Sequence, residues 1–298
     1  MKHTLPVTIT FLLIFIAAQI IGLILIGQSI QSITTEDGET TIQYTDTTVG
    51  ERPETTGTET LIFIIIGVTI GTTILLLFVK HAKVNWWRTW FLIAAIITMS
   101  ISFGVITQNA LLAWLLAIIL GAWKMYKPNP IIHNATEILM YAGIAILLVP
   151  ILSITAMIIL LVLVAIYDAY AVWKSKHMVK MAEFTSKANL FPGIRIGYTD
   201  KAIKPSKKTA PRKGTPKTGV LGGGDIAFPL LFSGTVMTTM IQQGFLPATA
   251  FYYALIITLT AAISLFILFY IAKKDKFYPA MPFITTGCIA GYIIILLL

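Results

Sequence analysis

The chain has 298 residues, of which 56% are hydrophobic and 12% are charged, and its mean hydropathy is +0.83. This composition excludes an ordinary soluble domain and a disordered chain, and it indicates a polytopic membrane protein. The formal net charge is +9, but the basic residues lie between apolar segments, which favours a topological role over nucleic-acid binding. The single cysteine, Cys288, excludes an intramolecular disulfide and a cysteine-based metal site.

Nine apolar segments are candidates for membrane-spanning helices. A span needs about 20 apolar residues to cross about 30 Å of hydrocarbon. The polar pair Gln108-Asn109 divides one overlong segment into a helical hairpin, and Pro150 divides another. In chain order the predicted spans are Leu5–Ile30, Leu61–Val79, Thr89–Thr107, Ala110–Trp123, Ile131–Val149, Ile151–Trp173, Gly219–Gln242, Leu246–Ala272 and Phe277–Leu298.

The charged residues test this count independently. If the N-terminus lies inside, every Lys and Arg except Arg52 falls on an inner segment, and the outer loop Gln31–Thr60 is otherwise acidic. Basic residues are normally enriched on the inner side, and adding or omitting one span before the basic loops would destroy the pattern. The sequence therefore predicts an all-α polytopic membrane protein with nine transmembrane helices, N-in and C-out.

The chain is predicted to form one domain with a basic inner loop in its second half. Spans one to six fall in 1–173, the inner loop in 174–218 and spans seven to nine in 219–298, so that 1–298 is a single unit. In the loop, Met178–Ala188 fits a surface helix beside anionic lipid headgroups. Ile194–Tyr198 alternates like a short strand, alone or in a β-hairpin. The Lys-rich stretch Lys201–Lys217 favours contact with lipids rather than nucleic acid.

Two aspartates lie inside predicted spans, where an ionised carboxylate is costly. Asp168 in span six and Asp225 in span seven both lie roughly 8 to 9 Å from the inner surface. Antiparallel neighbouring helices can bring them face to face as a pair that shares one proton. Such a pair suits aspartic proteolysis, in which one carboxylate activates water and the other, protonated, stabilises the oxyanion. A proton relay or an ion-coupled transport site uses the same residues.

Unusual backbone features lie at the same predicted depth. Gly222-Gly223-Gly224 directly precedes Asp225 and leaves bare backbone for the close approach of a helix or a substrate. Pro279-Ala280-Met281-Pro282 opens span nine, where two prolines forbid a regular helix. Irregular backbone at membrane depth is tolerated where it is buried in protein or lines a cavity. Tyr167 is either an interfacial aromatic or a hydrogen-bonding neighbour of Asp168.

Together these motifs resemble the three signatures of the presenilin and signal peptide peptidase family, and most closely those of its archaeal presenilin-like members. The matching residues are Tyr167-Asp168, Gly-x-Gly-Asp at Gly222–Asp225 and Pro279–Met281. The family pattern ends in Pro-Ala-Leu, whereas this chain has Met281. The resemblance implies an intramembrane aspartyl protease with Asp168 and Asp225 as the catalytic pair. It also implies that Tyr167, Gly222, Gly224, Pro279, Ala280 and Met281 shape the active site or bind substrate.

The same resemblance sets expectations about partners and location. Transmembrane proteins or peptides are the expected substrates, membrane lipids the surroundings, and the cell membrane of a prokaryote, an archaeon, the expected location. No metal and no organic cofactor are expected, because two carboxyl groups and one water suffice for the hydrolysis. A homo-oligomer stays an open alternative.

Two other functions and one further residue pair are weighed against this interpretation. A proton-coupled transporter often shows two related halves, and the sequence has no convincing internal repeat. A prepilin-type peptidase usually has a lysine shortly after the aspartate, whereas Ile226-Ala227-Phe228 follows Asp225. Glu137 and His133 lie one turn apart in span five, where a local ion pair is favoured over a proton or metal site.

Overall fold

The structure of the protein, a computed structural model, describes the chain in eight segments. These are 4–36, 39–51, 58–81, 84–127, 129–175, 192–199, 216–273 and 278–298. The α-helices within them are α1 (Leu5–Gln28), α2 (Thr58–Lys80), α3 (Val84–Thr107), α4 (Ala110–Tyr126), α5 (Pro130–Leu148), α6 (Ile154–Tyr170), α7 (Gly224–Gln242), α8 (Pro247–Ile271) and α9 (Met281–Leu297).

These helices give the chain a largely helical, polytopic membrane fold. In the described segments, six helices are long and apolar enough to cross a membrane, namely α1, α3, α5, α6, α7 and α8. Helices α4 and α9 are shorter and also apolar. Each predicted span overlaps one helix, while the count of nine spans and their orientation stay predictions.

The breaks between helices lie where the sequence predicted them. Asn109 caps α4, because its side-chain oxygen accepts a hydrogen bond from Leu112 N at 3.1 Å, and Gln108 before it has a φ of 51°. Pro150 lies in a short 3-10 turn, Val149–Ile151. Ser153 then caps α6 by accepting a hydrogen bond from the main-chain N–H of its first turn.

Two predicted spans begin four or five residues before their helices, and span three, predicted from Thr89, begins five residues after the start of α3 at Val84. Span seven was placed from Gly219, but α7 begins at Gly224, because the preceding residues form a strand instead of a helical turn. Span nine was placed from Phe277, but α9 begins at Met281. Pro282 occupies the first turn of α9, the position where proline is compatible with a helix.

Two antiparallel hairpins connect the helices. One joins β1 (Ile30–Glu36) to β2 (Glu39–Tyr44). The other joins β3 (Gly193–Thr199) to β4 (Pro216–Gly222) and leads directly into α7. Strand β3 confirms the predicted strand at Ile194–Tyr198, whereas β1, β2 and β4 were not predicted as strands. The predicted surface helix Met178–Ala188 and most of Lys201–Lys217 lie outside the described residues.

Helix α7 lies at the centre of the fold. It contacts α1, α5, α6, α8 and α9, and its second half is almost wholly buried, from Pro229 to Ile241 apart from Thr239. Pro229 inside the helix removes one backbone donor. Gln19 of α1 donates a hydrogen bond of 2.9 Å to the nearby carbonyl of Ile226. The α7 N-terminus, which carries Asp225, is thus held by several neighbours.

Helix α9 packs tightly on α8 through two glycines. A Cβ added to Gly287 would lie 2.6 Å from the carbonyl oxygen of Thr260, and one added to Gly291 would lie 2.8 Å from Cα of Ile257. Both distances are far below ordinary van der Waals contact, so only glycine allows this approach of the two backbones. The contact fixes α9, whose first residues face α6.

Candidate active site

Asp168 lies in the last turn of α6 and is only 8% exposed. Its Oδ2 accepts a hydrogen bond of 3.1 Å from Met281 N, and the main-chain N–H of Ala280 also lies near enough to stabilise the carboxylate. Both donors belong to the start of α9. A carboxylate inside a predicted span is therefore satisfied by backbone donors from a separate helix.

The start of α9 can supply these donors because of how a helix begins. The first N–H groups of a helix have no partner within it, and they carry a partial positive charge. The two-proline segment was expected to forbid a regular helix, and the described backbone there presents the N–H groups of Ala280 and Met281 to Asp168. Thr285 ties the same helix to α6, since its hydroxyl donates to Leu161 O at 3.3 Å.

Asp225 lies in the first turn of α7, directly after the end of β4. The main-chain N–H of Gly222 lies near enough to the Asp225 carboxylate to stabilise it. A Cβ added to Gly222 would lie 3.1 Å from Asp225 Oδ2, closer than ordinary contact. Glycine at 222 therefore leaves room for the carboxylate and stabilises it.

The two carboxylates belong to one site. Helices α6 and α7 pack against each other, and Asp168 and Asp225 lie close enough to interact electrostatically. Helix α9 contacts both α6 and α7. The three segments that the sequence placed at one depth are thus brought together, each carboxylate with at least one backbone donor.

The glycines before Asp225 differ in how much space surrounds them for a side chain. A Cβ on Gly223 would lie 2.6 Å from the hydroxyl oxygen of Tyr141, with two ring atoms at 3.0 and 3.1 Å. A Cβ on Gly224 would meet only the Phe228 ring, at 3.5 Å, which is ordinary contact. The sequence singled out Gly222 and Gly224, but Gly223 is the position in this segment with the least space.

Two tyrosines lie near the aspartates, and sequence reasoning named only one. Tyr167 precedes Asp168 and is 45% exposed. Tyr141 of α5 is 5% exposed, packs against Gly223 and interacts electrostatically with Asp225. Its hydroxyl donates a hydrogen bond to Glu137. The available signal was the spacing of His133, Glu137 and Tyr141, which repeats every four residues along one face of α5.

Among the described residues, no group of three or more His, Cys, Asp or Glu side chains could hold a metal ion. The described hydrogen-bond partners of the two carboxylates are main-chain N–H groups, which are donors and not metal ligands. The described arrangement is thus a pair of carboxylates with backbone donors.

Comparison with known proteins agrees with this geometry. Residues 13–298 match the protein family described as signal-peptide peptidase, presenilin aspartyl protease. The chain therefore belongs to this family of aspartyl proteases. A search of curated proteins finds no match.

Two solved structures of a presenilin family intramembrane aspartate protease share the fold. For one, in a C222 crystal form, the identity is 17%, the alignment covers 97% of each chain and the TM-score is 0.62. For the other, in a P2 crystal form, the identity is 18%, the coverage is 95% of this chain and 94% of that chain, and the TM-score is 0.58. The similarity extends over nearly the whole chain.

Proposed function

We propose that this protein is an intramembrane-cleaving aspartyl endopeptidase that hydrolyses peptide bonds within transmembrane segments of membrane proteins. Asp168 and Asp225 are its catalytic pair, and water is the nucleophile. The observation that carries this proposal is the meeting of two carboxylates from α6 and α7, held by backbone donors of α9 and β4. Family membership supports the same reaction.

The chemistry needs the pair in two different protonation states. One carboxylate removes a proton from water while the other, protonated, donates a hydrogen bond to the scissile carbonyl and stabilises the oxyanion. The tetrahedral intermediate then collapses as the leaving nitrogen gains a proton and the C–N bond breaks. Two neighbouring carboxylates in a poorly solvated site favour such sharing of one proton.

The backbone donors fix the two carboxylates relative to each other. The N–H groups of Ala280 and Met281 orient Asp168, and the N–H of Gly222 orients Asp225. Because these are main-chain donors, their positions follow from the start of α9 and the end of β4. Pro279 and Pro282 contribute by ending regular structure before α9, and Tyr167 flanks the pair on α6.

Substrate is proposed to bind as an added strand on β4. A transmembrane helix must unwind locally before cleavage, and its freed N–H and C=O groups then need partners. One edge of β3 is occupied by α5, where the Asn134 side chain bonds both the N–H and the C=O of Arg195. Strand β4 pairs with β3 along one edge, and no further strand pairs with it within the described residues. The other edge of β4 can accept an extended peptide, and the strand ends just before Asp225.

The membrane setting completes the proposal. With nine spans and the N-terminus inside, Asp168 and Asp225 lie near the inner surface; the overlap of every predicted span with a helix supports the span count, and the distribution of Lys and Arg supports the orientation. The basic inner loop contacts anionic lipids, and the prokaryotic cell membrane is the proposed location. The proposal applies to the single chain and to a homo-oligomer alike.

Purified protein incubated with a synthetic single-span peptide in detergent tests the function. Wild type should give two fragments by mass spectrometry, whereas Asp168→Asn and Asp225→Asn should each remove nearly all cleavage, because neither carboxyl group can do both proton tasks. The matched control is Asp46→Asn, the same change at an exposed position in the first outer loop. Appreciable cleavage by either active-site variant would refute the dyad.

The other two functions have less support. Proton-coupled uptake of a solute into liposomes that contain the purified protein would favour a transporter. The family match and the placement of the start of α9 against Asp168 have no counterpart in a prepilin-type peptidase scheme.

A further inference from the structure

A buried ionic cluster, which the proposed chemistry does not use, lies beside the segment that carries Asp225. Glu137 is fully buried, and its Oε1 lies 2.5 Å from Lys124 Nζ at the end of α4. Its Oε2 accepts a hydrogen bond from the Tyr141 hydroxyl and another, of 2.9 Å, from Gly193 N. A single carboxylate therefore joins α4, α5 and the first residue of β3.

Strand β3 is attached to α5 by side chains. His133 Nε2 lies 2.8 Å from Gly193 O, and Asn134 makes two hydrogen bonds of 2.9 Å to the main chain of Arg195. Gly193 and Arg195 are two residues apart, so their main-chain groups face the same edge of the strand. Helix α5 therefore occupies one edge of β3, and β4 occupies the other.

The attachment point on β3 lies directly opposite the residue that binds Asp225. Gly193 pairs with Gly222 in the register of the hairpin, and Gly222 lies against the Asp225 carboxylate, whose Oδ2 is only 3.1 Å from the position a Cβ on Gly222 would take. A second connection runs through Tyr141, which packs on Gly223. Glu137 thus contacts both groups, Gly193 and Tyr141, that touch the segment preceding Asp225.

From these contacts we propose that Glu137 is a positioning residue of the active site. Its carboxylate holds Gly193 and Tyr141, and through them it keeps Gly222 and Asp225 in place opposite Asp168. The role is one of placement, because Glu137 bonds to Lys124, Tyr141 and Gly193 and to neither aspartate. This inference rests on the proposed function and adds Glu137 to the residues that build the proposed active site.

Simple stabilisation of the helix bundle accounts poorly for this cluster. A buried ion pair can often be replaced by apolar residues of similar size without loss of stability. The hydrogen-bond acceptor at 137 is different, since Gly193 N–H and the Tyr141 hydroxyl depend on it. Losing only the acceptor should loosen the hairpin while the helices remain packed.

A matched pair of double variants isolates the acceptor from the charge. Both carry Lys124→Met, so no buried ammonium is left unpaired. One adds Glu137→Gln, whose amide oxygen in the place of Oε2 can accept from both Gly193 N–H and the Tyr141 hydroxyl, and the other adds Glu137→Leu, which can accept from neither. Thr136→Val is the control on the same helix, because within the described part of the chain the buried Thr136 hydroxyl bonds only to carbonyls of α5.

Two measurements are made on each variant. The first is peptide cleavage, where the Glu137→Leu double variant should have a kcat at least about tenfold below that of the Glu137→Gln double variant, with similar KM. The second is limited trypsin digestion, scored by mass spectrometry for cutting after Arg195, which should be faster in the Glu137→Leu double variant. Thr136→Val should match wild type in both.

The outcomes separate this inference from the proposed function. Equal rates of cutting after Arg195, or equal kcat, in the two double variants would overturn the positioning role. The trypsin measurement needs no transmembrane peptide, so it decides whether Glu137 holds β3 even if the protein cleaves no peptide. Absence of peptide cleavage by wild type counts against the proposed function alone. If the Glu137→Leu double variant does not fold, Tyr141→Phe decides instead: kcat equal to that of Thr136→Val refutes the proposal, and a clear drop supports it.

Discussion

Replacing Gly223 with alanine is the sharpest local perturbation that the structure offers. A Cβ at this position would lie 2.6 Å from the Tyr141 hydroxyl oxygen and 3.0 and 3.1 Å from two ring atoms. Tyr141 is 5% exposed and bonds to Glu137, so its ring has little freedom to withdraw. Either Tyr141 or the backbone before Asp225 must therefore move.

The size of the effect follows from these distances. Ordinary contact begins at 3.4 Å, so the displacement needed is about 0.8 Å, the difference between 3.4 and 2.6 Å. Overpacking of a buried site typically costs about 1–3 kcal/mol, and a misplacement of about 1 Å at an active site can lower a rate by about 100-fold. We expect Gly223→Ala to lose about 1–3 kcal/mol of stability and most of its cleavage activity.

The neighbouring glycine provides the comparison. A Cβ at Gly224 meets only Phe228 at 3.5 Å, and alanine is a better helix former than glycine, so Gly224→Ala should be as stable as wild type or gain up to about 1 kcal/mol. Thermal unfolding in detergent measures both variants. Adding Tyr141→Phe to Gly223→Ala removes the closest contact and should recover part of the lost stability. Equal unfolding midpoints for Gly223→Ala and Gly224→Ala would refute the reasoning.

Other expected outcomes follow from the same geometry. Cleavage should rise and then fall with pH, because the pair needs one protonated and one ionised carboxyl group; a flat profile with the fold intact would contradict a titrating dyad. Met281→Leu should retain activity, since the donor to Asp168 is the main-chain N–H of residue 281. Ala280→Glu should abolish cleavage, because it places a like charge beside Asp168. Normal cleavage by Ala280→Glu would argue against the assigned role of α9. Thr258→Val should leave the free energy of unfolding unchanged or raise it, because the buried Thr258 hydroxyl has no hydrogen-bond partner among the described residues. A loss of more than about 1 kcal/mol in thermal unfolding would contradict this.

The sequence predicted the helices and the meeting of the motifs because both depend on local signals. Apolar length defines a span, and charge outside the spans defines orientation. The depth of Asp168 and Asp225 then follows by counting along the helices, at 1.5 Å per residue. The break at Gln108-Asn109 and the break at Pro150 were predicted for the same reason, since these residues determine the backbone at their own positions.

The contacts around Asp225 could not be predicted in the same way. Tyr141 meets Gly223, and Glu137 meets Gly193, across more than fifty residues of chain. Hydrophobic periodicity identifies the face of a helix but not its partner. The start of span seven was misplaced because the apolar residues of β4, such as Val220 and Leu221, continue the apolar run of α7. Length alone does not distinguish a short strand from an added helical turn.

The arrangement around the aspartates explains why the motifs consist of glycine, proline and small or apolar residues. The described donors to both carboxylates are main-chain N–H groups, so the side chains of these segments matter through the backbone they permit. Pro279 and Pro282 determine where α9 begins, and Gly222 leaves space for the Asp225 oxygens. Met281 in place of the leucine of the family pattern keeps the same N–H and a buried apolar side chain. On this argument, substitutions that preserve the backbone should be tolerated in these motifs, and those that change it should act on the dyad even without touching a carboxylate.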